Sequence, residues 1–92
     1  MSAVEVILYG RDGCHLCDEA RATLGRLADE LCFRVVERDI DADEALQRAY
    51  FERIPVIALD GRELSDFFVD EAALRAAVAA AHSSGDQLQS GR

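Results

Sequence analysis

Two cysteines separated by two residues stand out near the start of the chain. Cys14 and Cys17 lie in the segment YGRDGCHLCD, and a third cysteine, Cys32, follows well downstream. If the segment begins a helix, the first two are i,i+3 neighbours about 5–6 Å apart. That spacing falls within the roughly 4.4–6.8 Å between Cα atoms that a disulfide accepts. The pair can therefore be a reversible dithiol, part of a metal site, or two buried thiols.

The position of each cysteine on such a helix suggests a division of roles. Cys14, in the first turn, would face free backbone N–H groups and the positive end of the helix dipole, which favour the thiolate. Cys17, one turn further in, would be less exposed and suited to attacking a mixed disulfide formed by Cys14. We expect Cys14 to be the nucleophile, Cys17 to resolve, and His15 to be a solvent-facing modulator rather than a general base.

Metal chemistry is the main alternative for these residues. A structural zinc site needs four ligands, and Cys14, Cys17 and His15 supply at most three, so no metal ligand is predicted. Cys32 should lie roughly 20 Å from Cys14, at the far end of the helix, as a half-buried thiol at a strand start. An iron–sulfur cluster shared between two chains, or a binding module without turnover, stays open.

The hydrophobic pattern predicts the elements that hold the cysteines. Val4 to Tyr9 is apolar and β-branched, which predicts a strand that leads into the cysteine loop. Three- and four-residue spacing then predicts an amphipathic helix from about Cys14 to Leu31. The residues expected on its apolar face are Leu16, Ala20, Leu24, Leu27 and Leu31.

The rest of the chain alternates in the same way. CFRVVERD has strand character, and Asp41 with Glu44 resembles a capping box for a short helix. Pro55 introduces the strand VIAL, and Asp60-Gly61 predicts a two-residue hairpin turn. Asp70 then caps an alanine-rich helix. The order β-α-β-α-β-β-α predicts an α/β fold with one mixed four-stranded sheet, helices on both faces, and the first strand inside.

Length and charge limit the classes of protein that fit. The 92 residues suit one domain, predicted over 1–81, followed by a polar, disordered tail over 82–92. A formal charge of −8 disfavours nucleic acid and anionic membranes as partners. No signal peptide or membrane span is predicted, so we expect a cytoplasmic protein. The sequence does not determine the oligomeric state, and a monomer is favoured. A reducing compartment argues for catalytic or metal-binding cysteines over a structural disulfide.

These features together resemble the glutaredoxin-like branch of the thioredoxin fold. The resemblance rests on the CxxC at a strand-to-helix junction and on IPV ahead of the DG hairpin. The stretches ILYGRDGCHLCDEARATL and ERDID are most similar to small bacterial glutaredoxin-like proteins, and the resemblance extends to about residue 81. It implies a thiol–disulfide oxidoreductase with a four-stranded mixed sheet and three flanking helices.

The resemblance also assigns residues beyond the cysteines. Pro55 matches the family's cis-proline, which lets the preceding backbone, here Ile54, pair with an extended substrate. Tyr9 and Arg11 fall where glutaredoxins carry a Tyr and a glutathione-contacting Lys. Arg11 could grip a carboxylate bidentately. Apart from the resemblance, the position of Arg53 just before Ile54 predicts that it is either an ordinary solvated arginine or presents its charge to an acidic substrate.

One segment departs from the family pattern. Where glutaredoxins carry a Gly-Gly turn that holds glutathione, this chain reads ELSDFFVD. We expect one of Phe67 and Phe68 in the core beneath the last helix and the other outside, with an apolar rim for a protein partner as the alternative. With bulky side chains there, a protein disulfide is the expected substrate. Glutathione is left open as a small thiol co-substrate, and no resident cofactor is expected.

Overall fold

The strands and helices follow the chain order that the sequence predicts. The computed structural model describes the chain from Val4 to Ser90, with side chains as far as Ser83. Its elements are β1 (Val4–Gly10), α1 (His15–Leu31), β2 (Phe33–Asp39), a 3₁₀ turn (Ile40–Ala42), α2 (Glu44–Tyr50), β3 (Val56–Leu59), β4 (Arg62–Asp66) and α3 (Glu71–Ser90).

Strand β1 lies inside the sheet, as its uninterrupted apolar run predicts. The strand order is β2-β1-β3-β4, with β1 parallel to β2 and antiparallel to β3. Strands β3 and β4 form the expected hairpin, whose turn residues Asp60 and Gly61 have φ of 52° and 79°. Positive φ at both central residues is the geometry that an Asp-Gly hairpin turn favours. The mixed four-stranded α/β fold is confirmed.

The alternation of side chains along β1 places helices on both faces of the sheet. Val6 and Leu8 are buried in the main core, which also contains residues of α1 and α3. Tyr9 points to the opposite face because successive strand residues alternate. Its ring packs on Tyr50 of α2, with 4.7 Å between ring centroids. Helices α1 and α3 therefore cover one face, and α2 covers the other.

The buried face of α1 differs from the prediction at its first position. Its buried residues are Cys17, Ala20, Leu24 and Leu27, whereas the side chain of Leu16 is 41% exposed. The prediction that Leu16 lies on the buried face is wrong, because Leu16 and Cys17 both suit an apolar helix face by spacing alone. In the structure Cys17 faces the sheet. The four buried residues occupy positions i, i+3, i+7 and i+10 of one helix face: Cys17, Ala20, Leu24 and Leu27.

Two further details of the helix ends correct the sequence analysis. Asp43, and not Asp41, caps α2, because its side chain accepts hydrogen bonds from the backbone N–H groups of Ala45 and Leu46. Cys32 caps the C-terminus of α1 in the left-handed conformation, with φ of 60°. Its side chain is exposed rather than half-buried, because it sits at a helix end and not inside β2.

The last helix extends beyond residue 81, where the predicted domain ends. Helix α3 continues past residue 81, where the sequence predicted a polar, disordered tail, and runs to Ser90. Gly91 and Arg92 of that tail lie outside the described residues, and the domain boundary at residue 81 stays a prediction. Among the helices that the structure describes, none is long and apolar enough to cross a membrane.

Candidate active site

Cys14 occupies the N-cap position of α1. Its backbone is extended, with φ of −96° and ψ of 112°, and its carbonyl accepts the first helical hydrogen bond from Asp18 N at 3.1 Å. Its Sγ accepts a hydrogen bond from the backbone N–H of Cys17 at 3.1 Å. A sulfur thus takes the place of the oxygen that usually satisfies this N–H. Because the donor and the helix dipole both favour negative charge, this position favours a thiolate.

The two cysteines are close together but differently exposed. Their Cα atoms are 5.2 Å apart, as the i,i+3 spacing predicts, and the structure joins their sulfurs in a disulfide. Cys14 is half-buried at the surface, whereas Cys17 is fully buried on the core face of α1. A substrate can therefore approach Cys14, while Cys17 is reached chiefly through Cys14.

Gly10 supports this arrangement, although the sequence analysis gave it no role. It is the last residue of β1 and points to the same face as Val6 and Leu8. A Cβ atom built on Gly10 would lie 2.9 Å from the Sγ of Cys17, closer than real Cβ atoms come to a neighbour. A glycine that ends an apolar strand and faces a helix often marks such a close approach, which is the signal that could have found it.

The predicted cis-proline loop lies at the same end of the sheet as the cysteines. The Ile54–Pro55 peptide bond is cis, and Val56, the next residue, pairs with Tyr9 at the end of β1. The carbonyl of Pro55 accepts a hydrogen bond from Phe67 N at 2.8 Å. Between residues 4 and 90, the backbone of Ile54 makes no hydrogen bond to another backbone group. Its polar groups are therefore left for another partner.

Arg11, predicted to bind substrate, is engaged with another residue of the chain. Its Nη2 and Nε donate to the two carboxylate oxygens of Asp41 at 2.7 and 3.2 Å. Gln47 donates to the same carboxylate at 3.0 Å. Both partners in the ion pair are about two-fifths exposed, and such surface pairs contribute only about 0–1 kcal/mol. A ligand carboxylate would have to displace Asp41 to reach the guanidinium.

Arg53 is likewise paired and not simply solvated. It forms ion pairs with Glu63 and Asp66 of β4, and its guanidinium carbon lies 5.6 Å from the ring centroid of Tyr50. Hydrogen bonding from Arg53 lowers the pKa of Glu63. Burial, reinforced by the charge of Glu63, raises the pKa of Tyr50, whose ring also supports Tyr9. This cluster fastens the segment before Pro55 to the edge strand.

His15 points along the helix surface. Its Nε2 lies 2.9 Å from Oε2 of Glu19, one turn further on, and its side chain is 85% exposed. It is thus a surface residue adjacent to Cys14 that contacts a carboxylate, which fits a modulating position better than that of a general base.

The two phenylalanines correct another expectation. Phe67 and Phe68 are 43% and 72% exposed, so neither ring enters the core beneath α3. Phe67 has φ of 70°, a value uncommon for a bulky residue, and this turn directs both side chains outward. They border a groove between α1 and the β4–α3 connection, together with Leu16.

The described side chains do not form a metal site by themselves. Within residues 4–83, no group of three or more His, Cys, Asp or Glu side chains is arranged to hold a metal ion.

Comparisons with known proteins agree with the fold. A family model described as a glutaredoxin-like domain (DUF836) matches residues 5–79. Uncharacterized proteins of Mycobacterium tuberculosis and Mycobacterium bovis are each 38% identical over 84 residues, which covers 86% of this chain and 87% of the relative. A solution structure of a protein from Nitrosomonas europaea matches with a TM-score of 0.74 at 35% identity, covering 83% of this chain and 92% of that one. An X-ray structure of a protein from X. campestris matches with a TM-score of 0.66 at 41% identity, covering 82% and 96%.

Proposed function

The chain belongs to the glutaredoxin-like (DUF836) family, and from this membership and its cysteine geometry we propose that it is a thiol–disulfide oxidoreductase. The observation that carries the proposal is the contact at the start of α1. Cys14 Sγ accepts the N–H of Cys17 at a helix N-terminus, within disulfide distance of the buried Cys17. This arrangement supplies an accessible nucleophile and a resolving thiol on rigid structure.

The reaction begins with the reduced pair. The Cys14 thiolate attacks one sulfur of a substrate disulfide, the substrate S–S bond breaks, and the departing thiolate takes a proton from water. Cys17 then loses its proton to solvent and attacks the Sγ of Cys14. The bond between Cys14 and the substrate sulfur breaks, and the second substrate thiolate leaves and takes a proton from water. Two electrons pass from the protein dithiol to the substrate, and the Cys14–Cys17 disulfide remains. An external thiol returns the protein to its reduced form.

The substrate that fits best is a protein disulfide. The free backbone groups of Ile54, beside Pro55, can pair with an extended segment in the manner of an added strand. Glutathione is less favoured because Arg11 is held by Asp41, and because the exposed Phe67 and Phe68 stand where glutaredoxins carry a Gly-Gly turn. Comparable turnover of a glutathionylated substrate by the wild type, lost in Arg11→Ala, would reverse this preference. The cytoplasmic location and monomeric state stay predictions.

Single-cysteine variants test the proposed chemistry. Cys14→Ser should abolish reduction of a model protein disulfide, whereas Cys17→Ser should accumulate a mixed disulfide between Cys14 and the substrate, detected by non-reducing electrophoresis and mass spectrometry. Cys32→Ser is the matched control and should retain full activity, because Cys32 is exposed at the opposite end of α1. Full disulfide reduction by Cys14→Ser would contradict the proposal.

The alternatives drawn from the sequence are a binding module without turnover and an iron–sulfur carrier. Both stay predictions. Anaerobic reconstitution with iron and sulfide, followed by visible absorption and iron analysis, separates the cluster from the redox pair. A coloured, iron-containing protein that reduces no disulfide would favour the carrier.

A further inference from the structure

A groove of mixed polar and apolar lining lies next to the cysteine motif, which contributes Leu16 to it. It runs between the first turns of α1 and the connection from β4 to α3. Leu16, Phe67, Phe68 and Val69 provide its apolar lining. Single exposed apolar residues are ordinary on protein surfaces, but Leu16, Phe67 and Phe68 are three large exposed ones that line the same concavity.

The groove is tied to the reactive cysteines through both of its walls. Leu16 lies within the CxxC motif itself, two residues after Cys14. On the other wall, the N–H of Phe67 is bound to the carbonyl of Pro55. A chain that brings a sulfur to Cys14 and pairs with Ile54 must therefore pass close to the groove. Its occupant should accordingly be part of the same molecule that carries the disulfide.

The charges around the groove indicate which side chains it accepts. Glu19 and Glu71 line it, and no Lys, Arg or His side chain is among the described residues that do so. From outside the lining, Arg26 contacts Glu71 and the exposed His15 contacts Glu19, while Asp70 caps the adjoining helix. With a net charge of −8 on the whole chain, the field at this site is negative. An acidic segment is disfavoured here, and a basic one is attracted.

We propose that this groove selects disulfide substrates, namely extended protein segments that carry an aliphatic or aromatic side chain beside the reactive cysteine and a Lys or Arg next to it. The apolar side chain rests on Leu16 and Phe68, and the cation lies near Glu19. This inference rests on the proposed oxidoreductase function and specifies its substrate class. Glutathione has no apolar side chain and a net negative charge, so it meets neither requirement.

Model peptides separate the two requirements. Each peptide carries one cysteine and a self-quenching fluorophore, and two copies are joined by a disulfide. Reduction separates the two copies and increases the fluorescence. Four sequences place Leu or Ser on one side of the cysteine and Lys or Glu on the other. Pre-reduced protein is mixed with each dimer in a stopped-flow instrument under single-turnover conditions, which requires no electron donor. Each rate is divided by the rate with dithiothreitol, because neighbouring charges also alter the reactivity of the peptide sulfur.

The wild type should reduce the Leu/Lys peptide fastest. Partial burial of a Leu side chain against the groove should give it about a tenfold advantage over Ser. Lys should exceed Glu by several-fold, and added salt should reduce that ratio. Phe68→Ser should remove most of the Leu advantage and leave the Lys advantage. Glu19→Gln should reduce the Lys-to-Glu ratio by about threefold, as expected for one charge several ångströms away in water.

Matched controls exclude general effects of these substitutions. Phe51→Ser removes an exposed phenylalanine, 52% accessible, that lies outside the groove at the end of α2. Asp29→Asn removes one negative charge about 15 Å further along α1 than Glu19. Both should keep the wild-type preferences. If the wild type reduces all four peptides at equal corrected rates, the groove proposal is overturned while the oxidoreductase function stands. If it reduces none, the function itself is contradicted, and the groove proposal fails with it.

Discussion

Replacing Gly10 by alanine would place a methyl group against the sulfur of Cys17. The new Cβ would lie 2.9 Å from Cys17 Sγ and 3.3 Å from Cys17 Cβ, and Cys17 is fully buried, so something must move. Overpacking of this kind typically costs about 1–3 kcal/mol. Alanine recovers about 0.4–1 kcal/mol by restricting the unfolded chain. We therefore expect Gly10→Ala to lower the free energy of unfolding by about 1–2 kcal/mol.

The cost should depend on the redox state. In the disulfide, the Sγ of Cys17 is held by Cys14 and cannot rotate away from the methyl group, whereas in the dithiol it can. A difference of about 1 kcal/mol between the two states corresponds to about 20 mV. Gly10→Ala should therefore make the reduction potential of the pair less negative by about that amount.

Urea denaturation of the oxidised and reduced forms measures the loss of unfolding free energy in each state. Redox equilibration against glutathione measures the shift in reduction potential. Gly25→Ala is the matched control, because a Cβ at Gly25 meets nothing within 4 Å and lies inside α1. That variant should gain about 0.5–1 kcal/mol in both states. The reasoning is refuted if Gly10→Ala is as stable as the wild type in both forms, or if its potential moves in the other direction.

Substitutions at three further positions test separate features. Asp43→Ala should cost about 1 kcal/mol in urea denaturation because it removes the N-cap of α2, while Asp43→Asn, which keeps an accepting oxygen, should cost much less; equal losses would contradict the capping role. The folded-state pKa of Glu63 is lowered by Arg53 from its ordinary 4.5, so its stabilising contribution is present above that pH and lost as the pH falls below it. Glu63→Gln should therefore flatten the loss of stability as the pH falls below 4.5, and an unchanged acid limb would count against the pair. Cys32→Ser should leave the redox potential of the active pair unchanged, and a shift would mean that Cys32 takes part.

Sequence patterns were sufficient for the architecture because each element follows from local rules. The apolar run of β1, the turn at Asp60-Gly61 and the strand-to-helix position of the CxxC segment all have short-range physical causes. They predict the central strand, the hairpin and the cysteine spacing, all of which the structure contains. The family resemblance added the significance of Pro55, which composition and periodicity could not supply.

The details that sequence reasoning missed depend on tertiary contacts. Both Leu16 and Cys17 suit an apolar helix face, and only the packing against β1 decides that Cys17 is buried and Leu16 exposed. The outward direction of Phe67 and Phe68 depends on the positive φ of Phe67. The sequence does not indicate this φ, because the residue is not a glycine. The partners of Arg11 are set by residues distant along the chain, since its ion pair joins positions 30 residues apart.

A redox titration with thiol trapping tests the central claim most directly. The protein is equilibrated at defined thiol/disulfide ratios, free thiols are alkylated, and each cysteine is quantified by peptide mass spectrometry. The account predicts one two-electron transition in which Cys14 and Cys17 change together while Cys32 stays alkylated throughout. If no Cys14–Cys17 disulfide forms at any ratio, the pair is not a redox centre, and the proposed function is contradicted.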